Sequence, residues 1–256
     1  VPGERSSTTQ PFPSKPPPFE RQNLTVDDLI DFTPELREAA ITMLEQHRYG
    51  PIFTPPSLPT DTSFGTIHVP GYIGGASWMG AAIDPETSIL YVPSVSLPSR
   101  SGLAVPTADD ATLNYVRNVT TNLRPRGLPL IKPPYGQITA IDMNAGEILW
   151  QVPNGVGSPS VRNHPMLAGI DLPPLGNGWD QVLVTKTLLI SAQRTPNEEG
   201  SYALVARDKQ TGATIAQVSL PSQPIGPPVT YNAGGEQQLA LTVRGTPPEL
   251  VVLGLP

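Results

Sequence analysis

The chain has 256 residues, of which 33 are proline and 23 are glycine, so long-helix bundles are excluded because each proline removes a backbone donor and clashes with the preceding turn. A hydrophobic share of 38% against 15% charged residues excludes full disorder. A net charge of −6 without a basic stripe argues against nucleic acid as a partner, and the lack of cysteine excludes disulfides, thiolate metal ligands and cysteine nucleophiles.

The chain opens on Val1-Pro2-Gly3-Glu4, which reads as a processed or excised segment rather than as a signal peptide. Residues 1–24 form an extended proline-rich strap, with Phe12 and Phe19 expected as its packing anchors. Residues 25–49 are a helical insertion. Thr25 and Asp28 have capping-box spacing, and Thr33-Pro34 restarts the pattern. Leu36, Ala39, Ala40, Met43 and Leu44 then make one apolar stripe. A short helix near 26–31 and a longer one near 34–47 are expected.

From residue 50 to 256 the pattern is β. Strands are predicted at 52–54, 65–68, 80–84, 89–92, 138–142, 148–152, 182–184, 188–192, 204–208, 214–219, 229–231, 238–243 and 250–253. Residues 95–135 read as an irregular excursion with a helical turn near 109–117. No apolar run reaches the roughly 18 residues of a membrane-spanning helix.

Three segments repeat. GAAIDPETSILYV, ITAIDMNAGEILWQV and LVARDKQTGATIAQV each join two short strands through a turn that begins at Asp84, Asp142 or Asp208. Ala82, Ala140 and Ala206 precede the aspartates by two residues; Thr87, Ala145 and Thr211 follow by three. Gly146 and Gly212 come next, where the first copy has Ser88. The aspartate accepts backbone hydrogen bonds inside the turn and the glycine supplies a positive φ. Repetition at this period predicts an all-β fold of stacked or radially arranged blades.

The middle copy, from Ala140 through Asp142 and Gly146 to Trp150, resembles the tryptophan-docking motif of the PQQ-dependent quinoprotein dehydrogenases. Ala145 replaces its Thr, and the third copy has Ala216 in place of Trp. The run GGASWMGAAIDPETSILYVPS is similar to that family's G-G-x-N-W element, with Ser77 in the Asn position. The stretches around NHPMLAG and VTKTLLISAQ and the C-terminal ELVVLGLP also resemble the glucose/alcohol dehydrogenase-like branch.

The resemblance implies a partial β-propeller of about four blades, the C-terminal half of an eight-bladed ring. It implies PQQ and calcium as cofactors and a sugar or alcohol as substrate. It further implies a periplasmic or otherwise extracytoplasmic location, and a partner that is the N-terminal half of the ring or a second copy of this chain. Ser77 and Trp78 are the cofactor-binding candidates; an inter-blade packing role for Trp78 is the alternative. No residue here matches the family's general-base Asp or metal ligands, so the isolated chain is expected to be inactive. A non-catalytic propeller scaffold is the competing reading.

The three histidines, His47, His68 and His164, fit no metal spacing. His47 is expected as a charge at a helix end; a central-channel position for His164 is the minority reading beside an ordinary loop role. Trp179 is expected as a packed surface residue, Lys186 as a solvent-facing strand residue, and Asp109-Asp110 and Glu198-Glu199 as solvated loop charges.

Overall fold

The computed structural model describes residue 9 and residues 11–60, 63–78, 80–107, 112–178, 181–195 and 201–254. Trp179, Asp109, Asp110, Glu198 and Glu199 lie outside the described residues.

The helical insertion is nucleated as its sequence predicts. The Asp28 carboxylate accepts from Thr25 N (2.9 Å) and Thr25 Oγ1 (2.7 Å), fixing a single 3-10 turn over Val26–Asp28. That turn is shorter than the helix expected at 26–31. Leu29 and Ile30 leave it to pair with the Leu130–Ile131 backbone, where both become fully buried. Helix α1 (Pro34–Glu45) follows, with Leu36 N bonded to the Thr33 hydroxyl at 3.2 Å. Its predicted stripe is its inner face. Leu36, Ala40 and Leu44 are buried with Leu24, Ile67, Leu128, Ile131 and Leu167 in one apolar core.

The strands are β1 (Thr66–His68), β2 (Ala82–Asp84), β3 (Ile89–Val95), β4 (Ser99–Ala104), β5 (Val116–Thr120), β6 (Gly136–Asp142), β7 (Glu147–Pro153), β8 (Val182–Val184), β9 (Leu188–Arg194), β10 (Tyr202–Asp208), β11 (Thr214–Leu220), β12 (Val229–Ala233), β13 (Glu236–Val243) and β14 (Glu249–Gly254). Residues 52–54 are not a strand, because Thr54 folds back to bond the Pro51 carbonyl through both its N–H and its hydroxyl. The excursion at 95–135 holds two strands and a 3-10 turn over Pro125–Gly127; of the helical turn expected near 109–117, residues 109–111 lie outside the described residues and 116–117 belong to β5. In β4 and β5 backbone pairing, rather than an apolar pattern, carries the ladder, so neither strand has a periodic signature.

All strands pair antiparallel in four sheets. Two are four-stranded, β2-β3-β6-β7 and β8-β9-β10-β11; a third is β12-β13-β14. The fourth, β1-β4-β5, is built from the inserted segments rather than from the repeat. The first and second sheets face each other through Tyr91, Ile138, Ala140 and Leu189. The second and third meet through Ile190, Leu204, Leu239 and Leu241. Edge strands β2 and β8 lie side by side.

The strap crosses the first sheet on the face opposite the second. Lys15 pairs with Glu147 at 2.7 Å, and the Phe19 carbonyl accepts from the side-chain amides of Gln137 (2.8 Å) and Gln151 (3.1 Å). Phe12 is not a buried anchor: it is exposed and its ring meets the exposed Phe53. The seated residue is Glu20.

Candidate functional site at the loop ends of the sheets

Strand direction sorts the chain into two ends. At one end lie the three tight turns. Asp142 Oδ1 accepts from Asn144 N (2.8 Å) and Ala145 N (3.0 Å). Asp208 Oδ1 accepts from Gln210 N, Thr211 N and the Thr211 hydroxyl at 2.8–3.0 Å. Gly146 and Gly212 take positive φ, and Ser88 is forced into the same region at φ 60°.

These turns also bind the sheets together. Lys209, in the third turn, reaches the first: its ammonium lies 2.6 Å from Asp84 Oδ2 and also donates to the Thr185 carbonyl (3.1 Å). The two side chains are 12% and 4% exposed, so the pair is buried. The Lys209 carbonyl accepts from Trp150 Nε1 (3.1 Å) and from the Tyr91 hydroxyl (3.2 Å). A Cβ at Gly212 would sit 2.9 Å from the Trp150 ring, so the indole lies directly on that turn. Lys209's hydrogen bond, outweighing burial, holds the Asp84 carboxyl below the usual carboxylate range. Burial, with the charges of Asp84 and Asp208, pushes the Tyr91 phenol up to about 12.

At the opposite end the chain enters and leaves each sheet through long loops. The loop with Ser77 and Trp78 leads into β2, the edge strand. Trp78 is 100% exposed and Ser77 is also exposed; among the described residues the indole packs against nothing. The loop itself is held firmly. Glu20 is 7% exposed, and its carboxylate accepts from the hydroxyls of Ser94 (3.1 Å) and Ser96 and from Arg21 N (3.0 Å). Gly75 packs so closely on Glu20 that an added Cβ would lie 2.9 Å from its Cγ. The Gly75 carbonyl accepts from Val95 N at 2.9 Å. Glu20 gave no sequence signal, because an isolated carboxylate in a polar strap matches no motif.

Two clefts open at this end. One, of about 300 Å³, is lined by residues 95–98, Thr121, Leu123, Arg124, Leu130, Tyr135, Ser158, Ser160 and the glycine loop at 176–178. The other, of about 340 Å³, lies between the second and third sheets, where Arg194 bonds the Tyr202 hydroxyl at 2.8 Å. Between them the chain crosses itself on glycines: a Cβ at Gly176 would lie 2.0 Å from the Gly136 carbonyl.

The histidines take structural places. Burial chiefly disfavours the charged form of His47, so it meets the end of α1 through Nδ1 bonded to the Met43 carbonyl (2.7 Å), not as a cation. His68 bonds the Thr54 carbonyl at 2.7 Å. His164 caps the turn Pro165–Leu167 by accepting from Met166 N (3.3 Å). Lys186 is exposed in the turn between β8 and β9. Among the described residues, no three His, Cys, Asp or Glu side chains converge as a metal set. The donor set of a calcium site is therefore not met by these residues, whereas the bare Trp78 ring fits as one wall for a planar group.

Comparison with known proteins agrees with this architecture. The chain is 29% identical to the glycerol dehydrogenase large subunit of Gluconobacter oxydans over its whole length, covering 38% of that protein. It is 26% identical to the quinate/shikimate dehydrogenase (quinone) of Acinetobacter baylyi, over 96% of this chain and 32% of that one. It is also 26% identical to the quinoprotein glucose dehydrogenase of Escherichia coli, over 79% of this chain and 27% of that one. The chain thus spans about a third of the length of the curated relatives it matches. Residues 1–239 match the family model described as PQQ, glucose/ethanol/alcohol dehydrogenase, beta-propeller domain, and the chain belongs to that family.

Proposed function

We propose that this chain is the C-terminal part of a PQQ-dependent sugar or alcohol dehydrogenase, and that it contributes the Ser77–Trp78 loop to the cofactor site. The carrying observation is the family match over residues 1–239. The bare Trp78 at the head of an edge strand supports the assignment of the loop. The contact of Trp150 with the turn at Lys209 and Gly212 is, on this reading, the family's tryptophan-docking contact.

PQQ, when bound, accepts the hydride equivalent from the substrate's carbinol carbon. This chain's part is to place and wall the cofactor. Trp78 offers an aromatic face and one N–H donor, Ser77 offers a short hydroxyl, and Glu20 holds the loop in position through Gly75. The catalytic base and the metal ligands come from the rest of the ring. The third sheet has three strands where the two repeats beside it have four, which suits completion by another segment or by a second copy. Among the described residues, no helix is long and apolar enough to cross a membrane. The reading places the protein outside the cytoplasm.

The test is reconstitution of the polypeptide that carries this chain with PQQ and calcium, assayed for dye-linked oxidation of glucose, glycerol and quinate. PQQ-dependent turnover of at least one is expected. Trp78→Ala should weaken PQQ binding about tenfold, the worth of one good aromatic contact. A full polypeptide that stays inert with PQQ, or a Trp78→Ala variant with unchanged PQQ affinity, defeats the reading or its site assignment respectively.

A further inference from the structure

The cleft beside the 95–98 loop has a composition that points to a ligand class. Its lining combines the apolar Leu97, Leu123, Leu130 and Val161 with polar side chains. Among the described residues, Arg124 is the one charged group in the lining, and no carboxylate lines the cleft. The backbone aims this arginine: Leu123 and Pro125 on either side are buried, so the intervening side chain is turned outward, at the head of the short turn Pro125–Gly127. Arg124 forms none of the ion pairs among the described residues. Tyr135 lines the same cleft, its hydroxyl buried and, among the described residues, without a hydrogen-bond partner. Ser158 and Ser160 add two hydroxyls 3.0 Å apart. Glu20 stands behind Ser96 with its oxygens already occupied by Ser94, Ser96 and the Arg21 N–H.

A single unpaired guanidinium calls for a single anionic group, and its planar fork suits a carboxylate. Paired serine hydroxyls suit a hydroxylated ligand, and the leucine and valine wall suits the C–H face of a compact carbon skeleton. A cleft of about 300 Å³ is at the small end of ligand sites. We infer that this cleft binds a small hydroxylated carboxylate, with Arg124 holding the carboxylate. Taking that ligand as substrate rests on the dehydrogenase reading above; the binding itself does not.

Calorimetric or saturation-transfer titration of the 256-residue chain, without PQQ, tests it with sodium quinate and sodium gluconate against glucose, glycerol and acetate. Quinate or gluconate should bind in preference to the uncharged polyols and to acetate. Arg124→Gln should weaken that binding about tenfold or more, Arg124→Lys should weaken it less, and Arg126→Gln should leave it unchanged, since Arg126 faces the groove of α1 instead. A thermal melt checks that each variant is folded. Equal binding of glucose and gluconate, binding no tighter than that of acetate, or Arg124→Gln binding as well as the parent overturns the inference. Because no turnover is read, such a failure leaves the dehydrogenase reading standing, and an inert holoenzyme leaves the binding result standing.

Discussion

The turn end and the loop end of the sheets are built on opposite principles. At the turn end the Asp142 and Asp208 carboxylates are satisfied within their own turns, the connections are three to five residues long, and one lysine ties two sheets through both its backbone carbonyl and its ammonium. At the loop end the connections are long, polar side chains line open clefts, and a tryptophan stands bare. Stability concentrates where the repeat is, and recognition where the repeat breaks off. Substitutions at the turn end should therefore cost stability and leave binding intact, and those at the loop end the reverse.

The largest effect should come from Asp84→Ala. It leaves the Lys209 ammonium buried beside the Thr185 carbonyl with no counter-charge, a loss of about 3–4 kcal/mol in urea unfolding. Trp150→Ala comes next, at about 2–3 kcal/mol, because it removes a half-buried indole from the Gly212 turn together with the hydrogen bond to Lys209. A cost below about 0.5 kcal/mol for either would show that the sheets are held by their apolar faces alone.

Acid probes the same end without mutation. The folded-state carboxyl of Asp84 is depressed chiefly by the hydrogen bond from Lys209, and that of Asp208 chiefly by the hydrogen bond from the Thr211 side chain. Groups depressed on folding contribute stability that is complete above the unfolded value, near 3.8, and lost as pH falls below it. Unfolding free energy should thus be level between pH 5 and 7 and fall below about pH 4. Asp208→Asn should flatten part of that fall.

How far the sequence made this legible follows the same division. The turns are written in local chemistry, an Asp and a Gly at fixed spacing, so three short segments sufficed to place six of the strands. The cross-links between turns are not local. Lys209 stands at a position where the other copies have Pro85 and Met143, and only the stacking of sheets brings it to Asp84. Arg207 replaces the isoleucines of the other two copies and is buried, its guanidinium bonded to the Gly212 carbonyl, the Thr214 hydroxyl and the Gln193 side chain. Neither contact has a signature within one segment. The loop-end clefts are assembled from segments as far apart as residues 95 and 178, and β4 and β5 lack the apolar alternation that marks a strand.

Ser88 offers a gain rather than a loss. It occupies the left-handed region at φ 60°, where the other two copies have glycine. Ser88→Gly should stabilise the chain by about 0.5 kcal/mol, since relief of the strained backbone outweighs the added freedom of the unfolded state. A destabilised variant would mean that the serine side chain, not the backbone, sets this turn.

The smallest stability effect is expected at the residue with the largest functional one. Trp78 is 100% exposed, so Trp78→Ala removes almost no packing and should change unfolding free energy by less than about 0.5 kcal/mol. Leaving a large aromatic ring in water gives the isolated chain nothing, and its loop is nonetheless fastened through Gly75 to the buried carboxylate of Glu20. A well-held loop that presents an unpacked indole is arranged for something outside this chain to cover. If Trp78→Ala instead cost 2 kcal/mol or more, the indole would be packing within the chain in solution, and the loop end would be a second structural end rather than a binding one.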